Sequence, residues 1–377
     1  MVNVEGFYNL LKEKDIGFFT GVPDSLLKNF CAYVKDNTPD SHNIVAANEG
    51  NALALASGYY LATKKIALVY MQNSGLGNII NPLTSLTDPL VYSIPALLVV
   101  GWRGEPGKKD EPQHIKQGKV TVELLDTLGI KYTVLSNESS QEEAKEALDK
   151  AVNHMKEHLE PYALVIRKDT FDEYKLKSEN KSNFTLTREE AIRVILKNID
   201  SEDVIVSTTG MASRELFELR EARGEGHEKD FLTVGSMGHS SQIALGIAIA
   251  KPETNVYCLD GDGALLMHMG GLSIIGSVSP KNYKHIVINN GAHDSVGGQP
   301  TVALEVNIGS IATACGYKSV LTVETEQDIS EKINILKKSE GPALLEIRVN
   351  KGARKNLGRP TTTPVQNKLA FMDFLSK

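Results

Sequence analysis

An aspartate between two glycines, Gly261-Asp262-Gly263, follows the apolar run Tyr257-Cys-Leu and precedes Ala264-Leu-Leu. A strand that breaks at such a triplet and runs into a helix presents free backbone N–H groups to an anion. The glycines let the backbone approach closely, and Asp262 supplies a hard oxygen of the kind magnesium takes alongside phosphate oxygens. After 25 intervening residues, 264 to 288, a second apolar run ends in Asn289-Asn290-Gly291-Ala292. Neighbouring strand ends of a parallel sheet share one edge, so Asp262 and Asn290 can meet on one metal ion. Taken alone, Gly-Asp-Gly is equally the composition of an ordinary turn.

Three further segments carry chemistry. Glu49 closes the stretch Ile44-Val-Ala-Ala-Asn48 and opens a small-residue helix beginning Asn51-Ala-Leu-Ala; a lone glutamate there is commonly a partner for the helix dipole. Trp102-Arg103-Gly-Glu-Pro-Gly-Lys108-Lys109-Asp110-Glu-Pro-Gln-His114-Ile-Lys116 follows an apolar run and concentrates cations in an otherwise acidic chain. It reads as a solvated surface loop or as a lid whose cations meet an anionic substrate and whose His114 moves protons. Gly235-Ser-Met237-Gly238 flanks one bulky apolar side chain with glycines, which by itself suits a core methionine.

The elements that must position these residues are legible as apolar runs alternating with helical patterns. Ile66 to Met71, Ala96 to Val100 and Ala163 to Ile166 read as buried parallel strands of one doubly wound domain; Val204 to Ser207, Thr254 to Leu259, His285 to Ile288 and Ala343 to Val349 repeat the layout in a second. Between them the chain turns polar and charged around Asp172 to Asn183, and Thr187-Arg-Glu-Glu190 has the form of a capping box. The expected division is therefore 1–175, a linker at 176–187, and 188–377, an α/β chain of two parallel-sheet domains.

Composition narrows the function classes. A net charge of −6 without a basic stripe argues against a nucleic-acid partner. Three scattered cysteines form neither a zinc pattern nor a disulfide framework, and neither a signal core nor a span-length apolar run is present, so the expectation is a cytoplasmic protein without membrane partners.

Read together, Gly-Asp-Gly with Asn-Asn at this spacing and Glu49 before a small-residue helix resemble the thiamine diphosphate-dependent 2-oxo acid decarboxylase family. Gly21-Val-Pro-Asp24-Ser25-Leu-Leu-Lys28, the Trp102 loop, Asn289-Asn-Gly-Ala-His293-Asp-Ser-Val-Gly-Gly-Gln-Pro-Thr301 and the tail Lys351-Gly-Ala-Arg354-Lys-Asn-Leu-Gly-Arg359-Pro extend the resemblance over nearly the whole chain, to the phosphonopyruvate decarboxylases. The resemblance implies a pyrimidine-binding first domain and a diphosphate- and magnesium-binding second domain. Asp262, Asn290 and the Ala292 carbonyl would hold Mg2+; Thr208, Thr209, Gly210, Gly261, Gly263 and Ala264 would contact the diphosphate. Glu49 would bond and activate the pyrimidine, with Gly235 and the Met237 wedge supporting it. His114 and His293 would handle protons, with Asp24 and Ser25 near the substrate and Arg103, Lys108, Lys109, Arg354 and Arg359 as candidates for its phosphonate. It also implies at least a homodimer with the active site at the subunit interface, because in this family the glutamate domain of one subunit faces the magnesium domain of another. Pyruvate decarboxylases carry a central domain that 377 residues cannot accommodate. Sulfopyruvate decarboxylases share the Val-Pro-Asp-Ser start but often divide the two domains between subunits, whereas here both are fused. A carboligase or transferase of the same cofactor family, and a non-catalytic cofactor-binding module, are the readings from other classes.

Overall fold

A computed structural model describes residues 1–177 and 182–377. The chain forms two compact units, Met1–Asn180 and Lys181–Lys377. Part of the expected linker, residues 178–181, lies outside the described residues.

Unit 1 is built on runs of Val, Leu, Ile and Tyr that are apolar on both sides, as a strand covered by helices on both faces requires. Its strands are β1 (Phe19–Gly21), β2 (Asn43–Val45), β3 (Leu68–Gln72), β4 (Leu97–Gly101), β5 (Lys131–Leu135) and β6 (Tyr162–Ile166). They pair in the order β2-β1-β3-β4-β6-β5, every pairing parallel. All five residues of β4 and of β6 are buried, whereas β5, at the edge, buries only Leu135. One sheet face packs on Phe7, Phe30, Leu148 and Phe171, the other on Leu53, Ile79, Trp102 and Leu125. Truncating one such buried leucine to alanine costs ~2–5 kcal/mol.

Unit 2 contains β7 (Val204–Ser207), β8 (Asp230–Leu232), β9 (Val256–Gly261), β10 (Tyr283–Asn289), the short hairpin β11 (Ala292–His293) and β12 (Gln299–Pro300), then β13 (Ser319–Val323) and β14 (Ala343–Arg348). The sheet order is β13-β14-β10-β9-β7-β8, again parallel throughout. Counting each unit's six sheet strands in chain order, both read 2-1-3-4-6-5. Each sheet therefore reverses its winding between its first and third strands, and the carboxyl ends flanking that reversal are where an open parallel sheet leaves a crevice for ligands.

Two helices carry their caps in the sequence. Thr187 and Glu190 form the expected capping box on helix Arg188–Asn198. The helix expected from Asn51 begins two residues earlier, at Glu49, because the Asn48 side chain accepts the Asn51 N–H and caps it there. The cationic loop after β4 is shorter than expected: it ends at Glu111, and His114 and Lys116 belong to helix Pro112–Thr127, with proline in its first turn.

Candidate active site

In unit 1 the carboxyl ends of β1, β3 and β4 are tied together by side chains. Asp24, just past β1, is fully enclosed; its Oδ1 accepts Gln72 Nε2 at 2.7 Å and its Oδ2 accepts the Leu26 N–H at 2.9 Å. A Cβ on Gly101, the last residue of β4, would fall 2.2 Å from Asp24 Oδ2, so glycine is what lets the carboxylate lie there. Burial raises the Asp24 pKa. This aspartate braces the crevice from within.

Arg103 follows β4 and meets Asp110 in a fork, Nε to Oδ2 at 2.8 Å and Nη2 to Oδ1 at 2.5 Å, while its Nη1 donates to Ser25 Oγ at 2.8 Å. Burial opposes the Asp110 charge, yet Arg103 and the Gly104 N–H hold its carboxyl below the usual range. The loop is pinned to the helix that follows it. Trp102 Nε1 donates to Gly118 O at 2.8 Å, and a Cβ on Gly118 would fall 1.7 Å from Gly104 O. Arg103 thus has its charge matched, whereas Lys108 and Lys109 are exposed. His114 is buried against this loop, and burial followed by the nearby Arg103 charge lowers its pKa to about 4, so its imidazole is neutral near pH 7.

Glu49 lies at the first position of its helix and is 4% exposed. Its Oε2 accepts Asn78 Nδ2 at 2.6 Å. A Cβ on Gly75 would stand 2.5 Å from Oε1, so the glycine-rich turn after β3 wraps the carboxyl group closely.

In unit 2 the register Gly261↔Ile288 sets the ends of β9 and β10 side by side, with Asp262 and Asn290 just beyond them. Asp262 is 4% exposed; its Oδ2 accepts the Thr301 hydroxyl at 2.5 Å. Burial pushes its pKa up to about 6, against the lowering effect of the Thr301 bond. A buried carboxylate whose one side-chain bond comes from a hydroxyl has the chemistry of a cation ligand. Asn290 is oriented on both sides: Nδ2 donates to Asp294 Oδ2 at 2.7 Å and Oδ1 accepts the Ala292 N–H at 3.0 Å. Pro300, opposite Ala292 in the β11–β12 hairpin, has no N–H to offer the Ala292 carbonyl. The donor set of carboxylate, amide oxygen and carbonyl fits a hard divalent cation.

Asp294 Oδ2 also accepts Arg188 Nη1 at 2.9 Å and the Gly352 N–H at 3.0 Å. Arg188 is locked bidentately on Glu215, at 2.7 and 2.9 Å, with both side chains buried. A chain of charges thus runs from the helix interior to the Asn290 amide. Behind the Gly-Asp-Gly turn, Asp260 Oδ1 accepts the Gly261 N–H at 3.0 Å, and its Oδ2 lies 3.4 Å from His285 Nε2.

Thr208 is buried at the end of β7, and Gly210, at φ 94°, turns the chain into helix Met211–Ala222. Ser236 at φ 55° and Gly238 at φ 84° are left-handed on either side of Met237. A Cβ on Gly263 would lie 3.3 Å from Met237 Cε and 2.7 Å from His293 Cε1. The fold therefore gathers Met237, Gly263 and His293 beside Asp262. Desolvation lowers the His293 pKa to about 4. Of the tail cations, Arg354 is engaged with Glu189 at 2.9 Å and with Glu218, and Arg359 is exposed. Asp294 stands within a quoted motif, and Gln72 and Asn78 follow the apolar run that ends at Met71, but nothing in their spacing marks them as partners of Asn290, Asp24 and Glu49.

Comparison with known proteins decides the family. The model described as thiamine pyrophosphate enzyme, N-terminal TPP binding domain, matches residues 1–124, and its C-terminal TPP binding domain counterpart matches 208–347. Phosphonopyruvate decarboxylase of Streptomyces viridochromogenes is 33% identical over 371 residues, covering 94% of this chain and 90% of that one. The chain belongs to the phosphonopyruvate decarboxylase family of thiamine pyrophosphate enzymes. Sulfopyruvate decarboxylase of Methanosarcina acetivorans is 28% identical over 350 residues, 87% of this decarboxylase and 86% of its own length. This relative also matches across both domains, so their fusion does not separate phosphonate from sulfonate substrates. Sulfopyruvate decarboxylase subunit beta of Methanocaldococcus jannaschii is 33% identical over 192 residues, 50% of this chain and 97% of the relative. Among the described residues, no helix of this thiamine diphosphate-dependent decarboxylase is long and apolar enough to cross a membrane.

Proposed function

We propose that this chain decarboxylates 3-phosphonopyruvate to phosphonoacetaldehyde and CO2 with thiamine diphosphate and Mg2+, in the biosynthesis of phosphonates of the 2-aminoethylphosphonate type, in the cytoplasm. The observation that carries the reading is the buried pair of constellations, Glu49 held by Asn78 and Gly75, and Asp262 with Asn290, in a chain that matches a phosphonopyruvate decarboxylase over 94% of its length.

Asp262, Asn290 Oδ1 and the Ala292 carbonyl would hold the metal. Thr208, Thr209, Gly210, Gly261, Gly263 and Ala264 would hold the diphosphate, and Gly235, Met237 and Glu49 the pyrimidine. Thiamine diphosphate, when bound, supplies a sink for the electron pair that the departing CO2 leaves behind. Glu49 would hold and return a proton at the pyrimidine nitrogens. His114 and His293, both neutral near pH 7, would accept and return protons near the reacting carbon. Arg103, fixed on Asp110 and Ser25, would orient the approach to His114, and Lys108, Lys109 and the tail cations would draw in the anion.

The reading includes at least a homodimer, in which the Glu49 unit of one copy serves the metal unit of another. Apolar side chains exposed on unit 1, among them Leu61 at 69%, Leu90 at 95% and Tyr92 at 67%, support burial against a second chain.

The test is CO2 release with thiamine diphosphate and Mg2+, offering 3-phosphonopyruvate, sulfopyruvate and pyruvate side by side. Preference for phosphonopyruvate is the expected result. Preference for sulfopyruvate would establish the second reading, which the Methanosarcina relative supports, and no release from any would overturn both.

A further inference from the structure

Unit 2 contains a cavity of about 340 Å³ whose walls include Met211, Arg214, Asp294, Gly352, Arg354 and Lys355. Three cations converge on it, but they are not equivalent. Arg354 has its charge matched by Glu189 and Glu218. Asp294, the acidic wall, is committed to Arg188, the Gly352 N–H and Asn290. Arg214 is different. Its Nε donates to Gly358 O at 2.5 Å, one Nη2 proton goes to Leu357 O, and Nη1 reaches Met211 Sδ at 3.5 Å. Among the described residues no carboxylate lies within ion-pair distance of it.

A guanidinium has five N–H donors in a planar fork. Three of Arg214's are accounted for, which leaves one on each terminal nitrogen, the number a bidentate oxyanion takes. The helix Met211–Ala222 begins three residues before Arg214, so the backbone adds positive potential at the same place. Burial lowers the Arg214 pKa; the neighbouring Glu215 carboxylate, itself forked on Arg188, opposes that shift, and the Arg354 charge adds to it.

We propose that Arg214, backed by Lys355, is the seat for the distal tetrahedral anion of the substrate, the phosphonate group of the 2-oxo acid. The proposal rests on the decarboxylase reading for the identity of the molecule that carries the anion. Asp294, a wall residue of the cavity, accepts both the Asn290 amide N–H and the tail N–H of Gly352 on its Oδ2. The seat is therefore joined by one carboxylate to the residues that would hold the metal. Leu357 and Gly358 clasp Arg214 from the tail, which fixes the guanidinium and presents its remaining donors.

The test compares wild type with Arg214→Met and Arg214→Lys on 3-phosphonopyruvate and pyruvate, with titration calorimetry of thiamine diphosphate plus Mg2+ and of methylphosphonate. We expect Arg214→Met to lower the ratio of kcat/KM for phosphonopyruvate over pyruvate by about 100-fold, chiefly through KM, the scale of losing a charge-assisted bidentate contact. Arg214→Lys should recover part of that ratio, and thiamine diphosphate should bind Arg214→Met as it binds wild type. An unchanged ratio would overturn the proposal. So would weakened thiamine diphosphate binding with the ratio preserved, which would assign the seat to the cofactor's own diphosphate. Should wild type prove to use another acid, the reading of the reaction fails separately: methylphosphonate binding that is present in wild type and lost in Arg214→Met would still uphold the seat, and its persistence would overturn it. If Arg214→Met does not fold, Lys355→Met is the second variant, expected to lower the same ratio by a smaller factor; no change there would count against the site.

Discussion

At the scale of single residues, the proposed reaction depends most on the buried carboxyl of Glu49. Glu49→Gln preserves an oxygen for the Asn78 amide and removes the ability to exchange a proton, so kcat should fall by about 10²–10⁴-fold while thiamine diphosphate still binds; rapid-quench CO2 assays with parallel calorimetry separate the two. In the proposed metal site Asp294 would act through Asn290, whose Nδ2 it accepts. Its loss in Asp294→Ala frees the amide to rotate, and the magnesium dissociation constant should rise by about 10–100-fold, measured by Mg2+ titration in saturating thiamine diphosphate. His114 bears on pH dependence. Its folded pKa, lowered to about 4, lies below the ordinary 6.5, so the unfolded chain binds the proton first as pH falls. The stability from burying the neutral ring is fully present above 6.5 and is lost as pH drops toward 4. Denaturant melts of wild type and His114→Asn across that window should converge toward its acid end; parallel curves would contradict the buried neutral ring.

At the scale of elements, glycines decide how closely helices and loops approach the strand ends. Gly118 lies in helix Pro112–Thr127 where a Cβ would meet the main-chain oxygen of Gly104 at 1.7 Å. Backbone cannot move aside as a flexible side chain can, so Gly118→Ala should destabilise unit 1 by about 1–3 kcal/mol, read as a lower midpoint in thermal melts. Gly75 presents the contrasting case, because the clash there is with the Glu49 side chain. Gly75→Ala should displace that carboxyl and depress turnover while leaving the melting midpoint near wild type. A variant that melts early and turns over normally would reverse the assignment.

At the scale of the whole molecule, the two units share one strand order, and in the proposed function each would carry a different part of the chemistry: Glu49 in the first, Asp262 and Asn290 in the second. A relative whose full length corresponds to half of this chain is named as a separate subunit. Co-expressed fragments 1–180 and 181–377 should therefore regenerate CO2 release, and neither fragment alone should show any. Light scattering of the intact chain should give at least twice 41.1 kDa; an active monomer would remove the homodimer from the proposed function.

What was legible in the sequence was local. The Gly-Asp-Gly turn, the Asn-Asn strand end, the glutamate at a helix start and the Thr187 capping box are written in consecutive residues, and the forces that shape them act over one turn or one strand. Buried strands of four residues or more announced themselves as apolar runs; three-residue β1, β2 and β8 are too short to show a pattern, and the edge strands β5 and β13 are too exposed to read as one. Tertiary structure alone decided which groups meet. Asp24 finds Gln72 48 positions away, Arg188 finds Asp294 106 positions away, and Arg214 finds the tail carbonyls 143 and 144 positions away. Those pairings also changed the meaning of residues already singled out: Arg103 is a cation in the sequence and half of an ion pair in the fold. By itself the sequence determined the two parallel-sheet domains and the family chemistry, because spacing along a strand-turn-helix carries both. Burial and charge matching belong to three-dimensional neighbours, and so the unmatched Arg214 became visible only once the chain was folded.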